Sequence, residues 1–182
     1  MSEDYTIIKR VIDGDIESFG LLVDRYRRPV IRMVRNIAGV NHISEDLSQE
    51  VFIRAFKKLS SFDPALSRFS TWLFMIARNI ALNAFKKRTV PTSQYIPEAS
   101  DCSQPHDNLI RSEFFKELDR VLDTLPLKLR TAFILSQMEE LSHVEIAQIE
   151  GIRIGTVKSR ISRAREKLRS VLTRTGGDKS ND

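Results

Sequence analysis

The spacing of apolar residues constrains the fold of this 182-residue chain more than any other feature. Over most of the sequence these residues recur every three or four positions, which places them on one face of a helix. No strand-like alternation of useful length appears. The first such run comprises Phe19, Leu22, Val23, Tyr26, Val30, Met33, Val34 and Ile37. The sequence therefore predicts an all-α protein, in which Pro29 is expected to bend or break the first helix.

Two more amphipathic helices are predicted in the N-terminal half. The first begins at Ser44, a residue type that caps helix N-termini, and continues to about Leu59. Asp63-Pro64 then marks a loop. The second helix runs from about Ser70 to Lys87 and ends in three consecutive basic residues.

A polar, proline-containing segment divides the chain. Residues 90–110 carry three prolines, three acids and no Lys or Arg, and they lack helical periodicity. We interpret this segment as a flexible linker between two small helical domains, at residues 1–89 and 111–174. Residues 175–182 are expected to form a disordered tail.

The C-terminal half contains the pattern of a helix-turn-helix. Ser142 and Glu145 have the spacing of a capping box, which predicts a short helix, and Gly151 then suits a tight turn. A second helix from about Gly155 directs apolar residues inward. Residues 151–175 hold eight Lys or Arg against one acid. Such a density of basic charge favours a polyanionic partner, and the outward residues suit phosphates and base edges of duplex DNA: Thr156, Lys158, Ser159, Arg160, Ser162, Arg163, Arg165 and Arg169.

The helix predicted from about Ser70 to Lys87 combines aromatic and basic residues. Its aromatic and basic residues, Phe69 to Arg88, could stack unpaired bases and hold their phosphates, although most of these aromatics also fit a core. Asn79 and Asn83 are poor helix formers within an apolar stretch, so either they break the helix or they face something polar. The preceding helix carries a polar cluster that is either a docking surface or a solvated face: Asp46, Gln49, Glu50 and Arg54.

Several function classes are disfavoured by what the sequence lacks. The three histidines lie in separate segments, no Gly-rich phosphate loop is present, and Cys102 has no plausible catalytic base beside it. We therefore expect no enzymatic activity, no metal, no cofactor and no small-molecule substrate. A single cysteine indicates a reducing compartment, and the longest apolar run is too short to span a membrane. The chain is expected to be cytoplasmic.

Four motifs in order resemble the extracytoplasmic-function sigma factors of bacterial RNA polymerase, within the sigma-70 family. They cover residues 46–56, 69–79, 125–130 and 155–165. The resemblance implies that residues 1–89 correspond to sigma region 2 and residues 111–174 to sigma region 4. It also implies a protein that binds core polymerase, directs promoter-specific initiation and is controlled by an anti-sigma factor, which could hold it at the inner membrane.

The resemblance also assigns roles to residues. Contact with the clamp helices of the largest polymerase subunit is implied for Asp46, Gln49, Glu50 and Ile53, and a contact with the flap of the second subunit is implied for region 4. The minus-ten element is implied to meet Arg78, Asn79, Asn83, Lys86 and Lys87, with Asn79 bordering a pocket for a flipped base. The minus-thirty-five element is implied to meet Thr156, Ser159, Arg160 and Arg163, while Lys158 and Arg165 contact phosphates.

Two other interpretations remain open from the residues alone. A free-standing helix-turn-helix regulator would explain residues 140–172 and would bind its operator unaided. A membrane-surface or scaffold protein would use the basic charge on an anionic bilayer. A sigma factor differs from both because it needs core polymerase to act on DNA.

Overall fold

The structure, a computed structural model, describes residues 2–39, 43–89, 120–137 and 141–177 of the chain. Within these ranges every regular element is helical, which confirms the predicted fold class. We number the α-helices in chain order: α1 Glu3–Ile12, α2 Phe19–Ala38, α3 Ser44–Lys57, α4 Phe69–Thr89, α5 Leu127–Gln137, α6 His143–Glu150 and α7 Ile154–Gly177. Short 3₁₀ helices occupy Ile16–Ser18 and Leu59–Ser61, and a helical segment at 120–123 precedes α5.

Helices α2, α3 and α4 pack on one another and form the centre of the N-terminal half. Their apolar faces supply side chains that are completely removed from solvent, among them Met33, Ile37, Val51 and Leu73. Burial of this apolar surface is the main stabilising term for helices of this length, because intrinsic helix propensity contributes little.

Pro29 does not break α2. The helix continues through it to Ala38 and ends at Gly39, which adopts a left-handed conformation with φ of 67°. A proline inside a helix costs about 3 kcal/mol or more. Leu22 and Val30, on either side of Pro29, are both fully buried. We attribute the continuity of α2 to this packing on both sides of the proline.

The structure differs from the sequence-based expectations in one additional helix and in the cap of another. Helix α1, which the apolar spacing did not indicate, buries Ile7, Ile8 and Val11 in the core. The expectation that Ser44 caps α3 is wrong, because Ile43 occupies the N-cap position and Ser44 is the first, buried residue of the helix. Periodicity thus located α3, whereas residue preference misplaced its cap.

Helices α5, α6 and α7 form the C-terminal half. Val121, Leu122 and Leu125 pack with Ala164 and Leu168 of α7 in a cluster of their own. Helix α7 extends to Gly177, so residues 175–177 are helical rather than part of a disordered tail. The predicted linker at 90–110 and residues 178–182 lie outside the described residues.

The two halves contact each other, which the sequence did not predict. Helix α4 packs against α6, and α2 packs against α5. One continuous cluster of buried residues runs from Leu73 and Ile80 of α4 to Ile146 and Ile149 of α6. None of the described helices has both the length and the apolar character needed to cross a membrane.

Candidate nucleic-acid and protein interfaces

Helices α6 and α7 form the predicted helix-turn-helix. The Ser142 hydroxyl accepts a hydrogen bond from the Glu145 backbone N–H at 3.2 Å, and the Glu145 carboxylate accepts one from the Ser142 N–H at 2.8 Å. This reciprocal pair is the capping box that the sequence indicated. Gly151 follows α6 with φ of 65°, a left-handed conformation that glycine adopts without steric cost.

One face of α7 is buried and the opposite face is open. Val157, Ile161, Ala164 and Leu168 are buried, as their spacing predicted. The expected DNA-facing residues that lie exposed on α7 are Thr156, Lys158, Ser159, Arg163 and Arg165. Hydroxyls, ammonium and guanidinium groups at these positions can donate to phosphates and to base edges in a major groove.

Arg160 differs from the other expected DNA-facing residues. Its side chain is 19% exposed and pairs with the carboxylate of Glu150, the last residue of α6. Only 1% of the Glu150 side chain is exposed, so this ion pair is largely shielded from water. Arg160 is therefore engaged within the protein rather than presented to solvent.

The candidate minus-ten residues lie on an unbroken helix. Asn79 and Asn83 do not interrupt α4, and both are exposed, as are Lys86 and Lys87. Arg78, on the same helix, is half-buried and lies near the C-terminal half. Its Nη1 donates to the Asn79 side-chain oxygen at 3.1 Å, while its Nε lies 3.6 Å from the Glu150 carboxylate.

An aromatic cluster surrounds the start of α4. Phe69 is buried, with its ring centroid 5.7 Å from those of Phe62 and Trp72 and 5.6 Å from that of Tyr26. Trp72 is only half-buried. Phe69 thus belongs to the core, while Trp72 retains surface at which a base could stack.

The surface of α3 presents the third group of predicted residues. Asp46, Gln49, Glu50 and Ile53 have helical spacing and share one face. Asp46 and Gln49 are exposed, Glu50 pairs with Arg54 one turn away, and Ile53 is 54% exposed. These four residues therefore form a mixed polar and apolar surface on the outside of α3.

The sequence did not single out Glu150 or Arg130, although both are central to the contacts between the halves. Arg130 is 1% exposed, and its Nε donates to the Asn36 backbone oxygen at 2.6 Å. Charged residues are rarely buried without a partner, so a charge within an apolar pattern is a usable signal. Glu150 lies directly after the apolar Ile149, and Arg130 precedes Ala132 and Ile134 of the same core.

The part of the chain that the structure describes holds no group of three or more His, Cys, Asp or Glu residues placed to bind a metal ion. Of the three histidines, His143 is the exposed first residue of α6, whereas His42 and His106 lie outside the described residues, as does Cys102.

Comparisons with known proteins identify related sequences for both halves. Residues 22–90 match the family described as Sigma-70 region 2, and residues 115–168 match Sigma-70, region 4. The chain is 35% identical over 177 residues to the ECF RNA polymerase sigma factor SigW of Bacillus subtilis, a match that covers 91% of this chain and 94% of the relative. It is 36% identical over 177 residues to the ECF RNA polymerase sigma-E factor of Escherichia coli K12, covering 91% and 92%.

Two solved structures are similar over most of the chain. CnrH, in complex with the cytosolic domain of CnrY, matches with a TM-score of 0.76 at 23% identity, covering 94% of this chain and 98% of that one; this likeness concerns the fold alone. The sigma factor RpoE of Bartonella quintana, in complex with the anti-sigma factor NepR, matches with a TM-score of 0.67 at 25% identity, covering 86% and 98%.

Proposed function

Because this chain belongs to the extracytoplasmic-function sigma factors of bacterial RNA polymerase, we propose that three of its surfaces bind different partners. It is a transcription initiation factor rather than an enzyme, and it binds core polymerase and directs it to promoters. The observation that carries this function is the ordered pair of family matches at residues 22–90 and 115–168. A free-standing regulator would leave the first of these without a role.

The outer face of α7 is the proposed minus-thirty-five surface. Thr156, Ser159 and Arg163 are exposed there, and Arg160 joins them once its pair with Glu150 is released. Lys158 and Arg165 are assigned to phosphates, which set register without distinguishing sequences. An arginine that bonds a base edge distinguishes sequences, whereas a residue that bonds only phosphate does not. Experiments with matched and mismatched elements can therefore separate the two groups of residues.

The exposed face of α4 is the proposed minus-ten surface. Asn79 and Asn83 carry amides that can hydrogen-bond a base, and Lys86 and Lys87 follow along the same helix for the strand's phosphates. Extraction of a base costs a few kcal/mol of stacking, which hydrogen bonds to the flipped base can offset. The α3 face with Asp46, Gln49, Glu50 and Ile53 is assigned to core polymerase.

We infer that an anti-sigma factor controls this protein. The support is the Bartonella quintana relative, which was solved in complex with the anti-sigma factor NepR. Since the proposed binding partners of all three surfaces are polymerase and chromosomal DNA, the protein would act in the cytoplasm.

Run-off transcription from fragmented genomic DNA, followed by sequencing of transcript ends, tests the function. Purified protein and sigma-free core polymerase should together produce start sites that share two upstream elements, and neither alone should do so. Discrete duplex binding by the protein alone, without initiation, would contradict the proposal.

Two variants then test the α7 assignments on a promoter found in this way. Arg163→Ala should weaken binding of the matched minus-thirty-five element by about 1–3 kcal/mol and discriminate less against mismatched ones. Lys158→Ala, the control, should weaken binding evenly on both. Equal losses on matched and mismatched elements for both variants would reject base recognition by Arg163.

A further inference from the structure

Glu150 connects the two proposed DNA surfaces. Its carboxylate pairs with Arg160 of α7 and lies 3.6 Å from Arg78 Nε of α4. Arg78 in turn donates to Asn79. A single buried acid thus holds one arginine from the proposed minus-thirty-five face and one from the proposed minus-ten face.

We propose that Glu150 is an autoinhibitory latch, which keeps the two halves closed by holding Arg78 of α4 and also occupies Arg160 within the C-terminal half. The consequence for DNA rests on the proposed roles of these two arginines, whereas the closure itself does not. A carboxylate and a phosphate oxygen compete for the same guanidinium donors. The closed chain cannot offer these arginines to a promoter while Glu150 holds them.

The burial of Glu150 makes it suited to this task. An ion pair on the surface contributes little, but the removal of one partner from a buried pair is strongly destabilising because the other charge stays uncompensated. The Glu150 side chain is 1% exposed, and Arg78 Nε is buried with no hydrogen-bond partner among the described residues. The Glu150 carboxylate, 3.6 Å away, is thus the acid that faces the buried Nε of Arg78.

Other polar contacts across the same interface support a closed state. Thr71 of α4 donates to Glu145 of α6 at 3.3 Å. On the opposite side, Arg130 Nε donates to the Asn36 carbonyl at 2.6 Å, and Arg88 contacts Asp123 at 3.4 Å. These contacts also hold the two halves together, and among them Glu150 is the residue that in our proposal also withholds DNA-binding groups.

Coupling between opening and DNA binding follows by mass action. A ligand that binds only the open chain shifts the equilibrium towards it, and any change that opens the chain raises the apparent affinity for that ligand. Removal of the Glu150 charge should therefore increase the open population, and because it also frees Arg160 it should strengthen binding of an isolated minus-thirty-five element.

Pulsed EPR on the full chain tests the latch. Spin labels at Lys57→Cys and Ser170→Cys, both exposed positions, report the distance between α3 and α7 in a Cys102→Ser background, which removes the chain's single native thiol. Glu150→Gln should increase the population at longer distances roughly tenfold. Arg78→Gln should do the same while leaving Glu150 its partner within the C-terminal half.

Matched controls separate the latch from a change of charge. Glu166→Gln removes one exposed acid from α7, and Lys87→Gln removes one exposed cation from α4. Neither should change the distance distribution. If Glu150→Gln and Arg78→Gln both leave the distribution as in these controls, the latch is overturned. If Glu150→Gln loses helical structure by circular dichroism, Arg78→Gln alone decides.

Binding of a minus-thirty-five duplex, identified by the transcription assay, tests the consequence for DNA. Glu150→Gln should bind this duplex several-fold more tightly than Glu166→Gln at the same salt concentration. If Glu150→Gln opens the chain but does not bind the duplex more tightly, Glu150 closes the chain but does not restrain Arg160 from DNA. Failure of the proposed DNA role can thus be told apart from failure of the latch.

Discussion

Two asparagines on α4 illustrate how packing can override local helix preference. Asn79 and Asn83 lie one helical turn apart on an exposed face, and α4 stays helical through both. Asparagine lowers helix propensity, so the surrounding apolar contacts of α4 must maintain the helix. The amide of Asn79 also accepts a hydrogen bond from Arg78 at 3.1 Å, which places it beside the contact with Glu150.

Asn79→Ala should impair promoter opening without destabilising the fold. Alanine is the better helix former, so the free energy of unfolding should stay constant or rise by up to about 0.6 kcal/mol. Loss of hydrogen bonds to a flipped base should slow strand opening about tenfold, measured by permanganate footprinting of the holoenzyme on a promoter. Binding to core polymerase serves as the control and should not change. A loss of stability above about 1 kcal/mol would instead mean that Asn79 has a structural role.

The helices differ in how well their positions could be predicted from the sequence. Helix α6 and the start of α7 followed from local chemistry, because a capping box and a left-handed glycine act within a few residues. Helix α3 was located by periodicity, although its cap was misassigned. The continuity of α2 through Pro29 could not be predicted, since it depends on burial of residues on both sides by other helices.

Ser142→Ala should destabilise α6 and with it the C-terminal half. The serine hydroxyl accepts the bond from the Glu145 N–H that would otherwise be unsatisfied at the helix start. Replacement of a serine cap by alanine costs about 0.5–2 kcal/mol, which urea unfolding followed by circular dichroism can measure.

Ser162→Ala provides the matched control for the cap. Ser162 is exposed in the interior of α7, where alanine is favourable, so its replacement should change the free energy of unfolding by less than about 0.5 kcal/mol. Similar small effects for both variants would mean that the capping box contributes little to the stability of the helix-turn-helix.

The arrangement of the whole molecule was the least predictable from sequence. The residues of the three proposed surfaces could be named from their spacing and from resemblance, because each lies within one helix. Their mutual positions could not, because Arg78 and Arg160 are brought to the same carboxylate by packing of α4 on α6. Long-range contacts of this kind leave no periodic trace. A buried charge such as Glu150 is the residue-level sign that they leave.

The α3 surface remains accessible to solvent while the two halves are in contact. Ile53 is 54% exposed in the closed arrangement, although Arg160 is not free. Core polymerase can therefore reach the proposed α3 surface before the two halves separate. A first contact of this kind makes polymerase binding depend on α3 even when the latch is intact.

Ile53→Ala should weaken binding to core polymerase by about tenfold, or ~1.4 kcal/mol, since apolar anchors at the centre of an interface carry much of its energy. Ile12→Ala is the matched control: Ile12, at the end of α1, is also 54% exposed and outside the proposed polymerase surface. Both substitutions should leave the free energy of unfolding within about 0.5 kcal/mol, as expected for exposed positions. Fluorescence anisotropy with labelled protein gives the two affinities. Equal affinities for the two variants would remove Ile53 from the polymerase interface, and with it the inference that α3 makes the first contact.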